Sequence, residues 1–167
     1  ITDGQIFLET DLFNSGQRPA VNSGISVSRV GGSAQRRAMR AVAGQLRLDM
    51  AQFRELQAFA QFGTSDLDAS TRAQLERGQR LSQLLVQAEN QPIPLAEQVV
   101  LLFSANEGFM DDVAVNKVRD FASALREFMA SSEPQILETI TTSGALADET
   151  VDALRKALKA FKDAVPF

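Results

Sequence analysis

Residues 24 to 33 read Gly24-Ile25-Ser26-Val27-Ser28-Arg29-Val30-Gly31-Gly32-Ser33, and the fold is decided by the change of period at their end. Up to Val30 the residues alternate, with Ile25 and Val27 on one side and Ser26 and Ser28 on the other. That is the period of a strand with one buried face, broken at Val30-Gly31-Gly32. Beyond Ser33 the period is helical. Met39, Val42, Leu46, Met50, Phe53 and Leu56 recur at three- and four-residue steps and predict a long helix from about Ala34 to about Phe62.

Upstream, Gln5-Ile6-Phe7-Leu8 is a short strand candidate behind the turn signal Asp3-Gly4, and Asn14-Ser15-Gly16 and Asn22-Ser23-Gly24 are turn material. Two or three short strands do not make an independent sheet with a core, so this portion is expected to be the end of a domain that begins elsewhere. Downstream, helix follows helix. Gly44 weakens the first, and Gly63 is its expected stop. Ser65 or Asp66 is expected to cap a second helix carrying Leu67, Leu75, Leu81 and Leu84-Leu85, which Gly78 weakens. Pro94 opens a third, with Leu95, Val99 and Leu102 inward, ended by Asn106-Glu107-Gly108. A fourth carries Val118, Phe121, Leu125 and Phe128. A fifth, behind Ser132 and Pro134, carries Ile136, Leu137 and Ile140 and stops at Gly144. A sixth carries Val151, Leu154, Leu158 and Phe161. Each apolar stripe needs a partner, and together they suffice for a helical bundle.

The composition removes whole classes of function. There is no Cys and no His among the 167 residues, which excludes thiol chemistry, disulfides, Cys/His zinc sites and histidine acid–base catalysis within the chain. The formal net charge of -4 argues against a nucleic-acid partner. No Gly-x-x-x-x-Gly-Lys-Ser/Thr loop occurs, so the usual phosphate cradle is absent. No apolar run approaches the ~20 residues that span a bilayer, and no basic stretch leads into an apolar one as in a signal peptide.

Arg29 is the most prominent polar side chain. It ends an alternating strand beside Ser28, and the glycines after it permit a sharp turn and close approach by another backbone. It reads either as a cation aimed outside its own domain or as a surface arginine with a carboxylate partner. Arg36, Arg37 and Arg40 read as a phosphate site or as a solvated helix face. Asp66-Leu67-Asp68 and Asp111-Asp112 read best as carboxylates at helix N-termini.

Three blocks carry a resemblance. They are Ile1-Thr2-Asp3-Gly4-Gln5-Ile6-Phe7-Leu8-Glu9, Arg18-Pro19-Ala20-Val21-Asn22 and the Gly24 to Gly32 stretch. In order behind them come Phe53-Arg54-Glu55-Leu56, Phe59-Ala60-Gln61-Phe62, Ser65-Asp66-Leu67-Asp68, Arg77-Gly78, and Pro94 followed by Glu97-Gln98-Val99. Together they resemble the alpha subunit of F-type ATP synthases, over essentially the whole chain. The resemblance implies a mainly α fold: residues 1–35 as the last strands of a RecA-like α/β nucleotide-binding domain, and residues 36–167 as the carboxy-terminal helical domain. The amino-terminal barrel and the P-loop half would lie outside these residues.

By the same resemblance Arg29 is an arginine finger, supplied in trans to the catalytic site of a neighbouring beta subunit, with Ser28 in support. The fork of donors suits the charge that spreads over equatorial oxygens in phosphoryl transfer. Phe13, Arg18, Pro19, Gln87 and Glu89 would border a non-catalytic site for ATP or ADP with Mg2+, built mostly by the rest of the subunit. Glu89 stands where the resemblance places a glutamine; it accepts hydrogen bonds but donates none. Asn90 stands where a tyrosine is common. Thr64 is a one-residue insertion, and the turn from Gly63 to Asp68 would face a rotating central stalk. The implied partners are beta and gamma subunits, with a delta subunit through the amino-terminal region. The implied setting is peripheral to a membrane, on the cytoplasmic face in bacteria, or in a mitochondrial matrix or chloroplast stroma. The chain alone would not be catalytic. A free-standing helical adaptor is the alternative.

Overall fold

The computed structural model describes residues 2–60 and 68–167. Among these the chain is mainly helical, with eight α-helices and two short strands. The strands, β1 (Gly4–Gln5) and β2 (Val27–Ser28), pair antiparallel with Gly4 opposite Ser28. Between them lies a five-residue helix, α1 (Thr10–Asn14), which the sequence reading did not anticipate. A second ladder-like contact, Leu8 opposite Val21, is extended by Glu9 N–H donating to the Ala20 carbonyl at 3.0 Å and Asn22 N–H donating to the Phe7 carbonyl at 2.8 Å.

The expected buried face of the Gly24 to Gly31 strand is not there. Ile25 is 51% exposed and Val27 54% exposed, and Ile6 and Leu8 are exposed as well. Nor is most of the strand: Ser23 to Ile25 and Arg29–Val30 are turns, only Val27 and Ser28 pair, and among the described residues no second layer packs over them. The expected helix start near Ala34 also moves. Gly31–Ala34 forms a separate short helix (α2), Gln35 is extended at ψ 143, and α3 runs Arg37–Ala60. Gly63, Phe62, Thr64, Ser65, Asp66 and Leu67 lie outside the described residues, so the expected stop and caps there do too.

The bundle consists of α3, α4 (Ala69–Leu84), α5 (Leu95–Asn106), α6 (Val118–Ser132, after a single 3-10 turn at Val115–Lys117), α7 (Pro134–Ser143) and α8 (Asp148–Ala164). Helix α5 is its centre, packing on α3, α6 and α7. Val99 through Ala105 are all buried, so α5 is enclosed nearly all round rather than along the Leu95/Val99/Leu102 stripe. The other helices obey their stripes. Helix α6 buries Val118, Phe121, Leu125 and Met129, and α8 buries Leu154, Ala157, Leu158 and Phe161. Phe121 meets Phe161 edge-on at 5.3 Å and Phe167 at 5.2 Å, and Phe128 lies 5.5 Å from Phe161, so these four rings form a connected cluster.

Helix ends are chemically marked. Asp68 caps α4 by accepting from the Ser70 and Thr71 N–H groups. Those bonds, led by the Thr71 amide and then the Ser70 hydroxyl, hold its carboxyl well below the ordinary carboxylate value. Pro134 opens α7, and Gly144 closes it in the left-handed region at φ 63. The Gly144 carbonyl in turn accepts from Ala38 N–H at 2.9 Å, docking the first turn of α3 on the α7–α8 junction. No described helix is long and apolar enough to cross a membrane.

Candidate functional site

Arg29 stands at the end of β2 with its side chain 76% exposed. Its backbone N–H donates to the Asp3 carbonyl at 2.9 Å, and its Nη2 donates to Asp3 Oδ1 at 2.6 Å. Both partners of that pair are in solvent, where such a pair contributes only ~0–1 kcal/mol and is readily exchanged for another anion. Ser28 shapes the turn behind it. Its Oγ accepts from Gly31 N–H at 3.0 Å, and a Cβ on residue 31 would fall 2.6 Å from that oxygen. Glycine is therefore required for the chain to fold back so tightly beneath Arg29.

A second place gathers residues from distant parts of the sequence. Phe13, Gly16, Arg18, Pro19 and Ala20 face Val86, Gln87, Ala88 and Glu89 across an open cavity of about 850 Å³. The Arg18 guanidinium lies 4.3 Å from the centre of the Phe13 ring, which makes a flat cation–π platform on one wall. The Arg18-Pro19 peptide is cis. Gln87 N–H donates to the Arg18 carbonyl at 2.8 Å, tying the loop after α4 to the turn after α1. Its side-chain Nε2 donates to the Gln91 carbonyl at 2.9 Å, closing that loop on itself.

All five residues expected around a nucleotide thus border one cavity. The sequence reading missed Arg119, which reaches the same cavity from the start of α6. Nothing local marks it, because its neighbours in space are far away in sequence.

The remaining candidates separate. Arg36, Arg37 and Arg40 are exposed, and Arg40 donates to the Ser33 carbonyl at 3.1 Å, answering a carbonyl just ahead of α3 rather than forming a common pocket. Asp68 is a helix cap, as its type and place suggested. Asp111 and Asp112 are not caps. Asp111 pairs with Arg77 at 3.7 Å, and Asp112 pairs with Lys162 of α8. The hydrogen bond from Lys162 holds the Asp112 carboxyl below its ordinary value. These carboxylates join separate elements of the bundle, a role that spacing along the chain cannot reveal.

The apolar walls and the cation–π platform fit the base and ribose end of a nucleotide. The chain holds no P-loop for the phosphates or the magnesium of such a ligand. The family model for the ATP synthase alpha/beta chain, C terminal domain, matches residues 35–161. The chain is 57% identical over 162 residues to ATP synthase subunit alpha of Dehalococcoides mccartyi, covering 97% of this chain and 32% of that protein. It is equally similar, over the same shares, to ATP synthase subunit alpha of Wolinella succinogenes. It is 54% identical to ATP synthase subunit alpha 1 of Methylococcus capsulatus, 31% of which it covers. It therefore spans about a third of the length of these relatives. On these matches, the chain belongs to the ATP synthase alpha subunit family and corresponds to its carboxy-terminal part.

Proposed function

We propose that this chain supplies two things to the catalytic head of an F-type ATP synthase: an arginine finger at Arg29, given in trans to the nucleotide site of a neighbouring beta subunit, and the base-facing wall of a non-catalytic ATP or ADP site. Residues 1–35 are then the last strands of a RecA-like nucleotide-binding domain, and residues 36–167 the helical domain that surrounds a central gamma stalk. A delta subunit contacts the amino-terminal region of the whole subunit. The assembly lies peripheral to the membrane, on its cytoplasmic face in a bacterium. In that setting the subunit takes part in ATP synthesis or hydrolysis coupled to proton-driven rotation, and this chain by itself is not catalytic.

The observation that carries the reading is the convergence of Phe13, Arg18, Pro19, Gln87 and Glu89 on one cavity. The exposure of Arg29 above a glycine turn, held only by a solvent-exposed carboxylate, supports the finger. Its chemical part is simple. The guanidinium leaves Asp3 and donates two hydrogen bonds to oxygens that gain charge in the transition state, and Ser28 keeps the strand end in place while it does so. Phosphates and Mg2+, when bound, supply the charge-neutralising chemistry at the site, and in this reading they are held by other parts of the assembly.

The test is steady-state ATP hydrolysis by an alpha–beta–gamma assembly whose full-length alpha subunit carries these residues. Arg29→Ala is expected to lower turnover by ~10²-fold or more with nucleotide binding nearly kept. Near-normal turnover in an intact assembly would leave Arg29 a surface residue.

A further inference from the structure

The segment that presents Arg29 is held by polar bonds rather than by packing. Ile6, Leu8, Ile25 and Val27 are exposed, and β1 and β2 pair over two residues each. Among the described residues before α3, Asn22 is the one buried polar residue. Its Oδ1 accepts from Gly24 N–H at 3.0 Å and from Ile25 N–H at 3.2 Å, and its Nδ2 donates to Glu9 Oε1 at 2.7 Å. Its backbone N–H donates to the Phe7 carbonyl at 2.8 Å. Its carbonyl accepts from both the N–H and the hydroxyl of Ser26, and the same Ser26 Oγ accepts from Phe7 N–H at 3.0 Å. Asn22 therefore ties residues 7–9, which follow β1, to residues 24–26, which lead directly into β2. At the other end of β2, Arg29 N–H is bonded to the Asp3 carbonyl. The direction of the strand is fixed at its start by Asn22 and at its end by the backbone of Asp3.

We infer that Asn22 is a positioning residue for Arg29: it sets the direction in which β2 presents the guanidinium, and it acts on turnover through that group alone. The inference rests on the reading of Arg29 as an arginine finger. Rate is sensitive to such placement, since a shift of about 1 Å in a positioned group can cost ~10²-fold. The residue type matters because a carboxamide donates and accepts at once. One end of Asn22 meets a carboxylate and the other meets two backbone amides. Aspartate has nearly the same shape but no donor. Placed here it would set a second negative charge against Glu9, and the two would repel. Whichever side chain swung away, the link between residues 9 and 22 would be lost. A glutamine at position 9 would restore it in reverse, donating its amide proton to the aspartate.

The test is steady-state ATP hydrolysis by an alpha–beta–gamma assembly whose full-length alpha subunit carries these residues, with assembly checked by gel filtration. Asn22→Asp is expected to lower kcat about tenfold or more with KM for MgATP nearly unchanged. Adding Glu9→Gln to Asn22→Asp is expected to recover most of that loss, which a general weakening of the fold would not do. In an Arg29→Ala background Asn22→Asp is expected to lower kcat no further, because both changes act on one group. If Asn22→Asp does not assemble, Ser26→Ala takes its place in the same comparison, since it removes the hydroxyl shared by the Asn22 carbonyl and the Phe7 N–H. Near-normal kcat for the variant that assembles, where Arg29→Ala abolishes turnover, overturns the positioning role and leaves the finger standing. So does an equal loss with and without Arg29. Normal turnover of Arg29→Ala itself overturns both.

Discussion

Replacing Gly78 by alanine sets helix propensity against packing, and the geometry decides between them. Gly78 is buried in the middle of α4, and a Cβ added there would stand 2.2 Å from Cγ, 2.3 Å from Cδ2 and 2.5 Å from Cβ of Phe53. Phe53 belongs to α3 and is itself buried. Rotating its ring moves Cγ and Cδ2 but leaves its Cβ in the clash, so the two helices must move apart. Overpacking of this kind costs ~1–3 kcal/mol, and the short distances put Gly78→Ala at the upper end. Alanine recovers ~1 kcal/mol of propensity. The net loss is about 2 kcal/mol, or a fall in Tm of ~4–8 °C for a chain of this size. Gly44→Ala is the matched control. Its added Cβ meets nothing within 4 Å, so it should gain ~0.5–1 kcal/mol and raise Tm. Thermal melts followed by far-ultraviolet circular dichroism measure both. A Gly78→Ala variant as stable as wild type would refute the packing argument, since propensity alone predicts stabilisation at both positions.

Phe121 is fully buried and touches two other rings, so Phe121→Ala is expected to cost ~3–5 kcal/mol, read as a lowered urea midpoint. The lowered pKa of Asp68 has a definite sign: its capping contribution is complete at neutral pH and is lost as pH falls below the ordinary carboxylate range and through the lowered value. Asp68→Asn keeps an acceptor for the α4 amides but does not titrate. The stability difference between wild type and Asp68→Asn should therefore shrink or reverse on acidification, and a difference constant with pH would show that Asp68 ionisation plays no part.

Helical stripes were the most legible part of the fold. Phe121 and Leu125, or Leu154 and Leu158, lie on the same helix face whatever their partners, so their burial could be read from spacing alone. The near-complete enclosure of α5 could not, because it depends on which helices surround it. The alternation at Ile25 and Val27 marked extended backbone only at Val27–Ser28, since Ile25 lies in a turn, and it did not mark burial, which depends on a covering layer that period says nothing about. In the candidate site, Phe13, Arg18, Pro19, Gln87 and Glu89 were named through a family resemblance, and no local pattern joins them. Arg119 escaped because it enters from α6, and Asp3 because an exposed ion-pair partner leaves no mark in the sequence. The missed roles of Asp111 and Asp112 have the same origin. Their partners, Arg77 and Lys162, belong to other helices.

The two backbone bonds from Ala38 to Gly144 and from Gln87 to Arg18 have a mechanical consequence. The first fastens the root of α3 to the far end of the bundle, and the second fastens the turn after α1 to the loop between α4 and α5. Only the second bond joins the strand-bearing residues to the helices, as an attachment separate from the covalent link into α3, and two attachments resist twisting better than a single linker. The strand-bearing residues are thus tied to the helices both through the chain leading into α3 and through the Gln87–Arg18 bond.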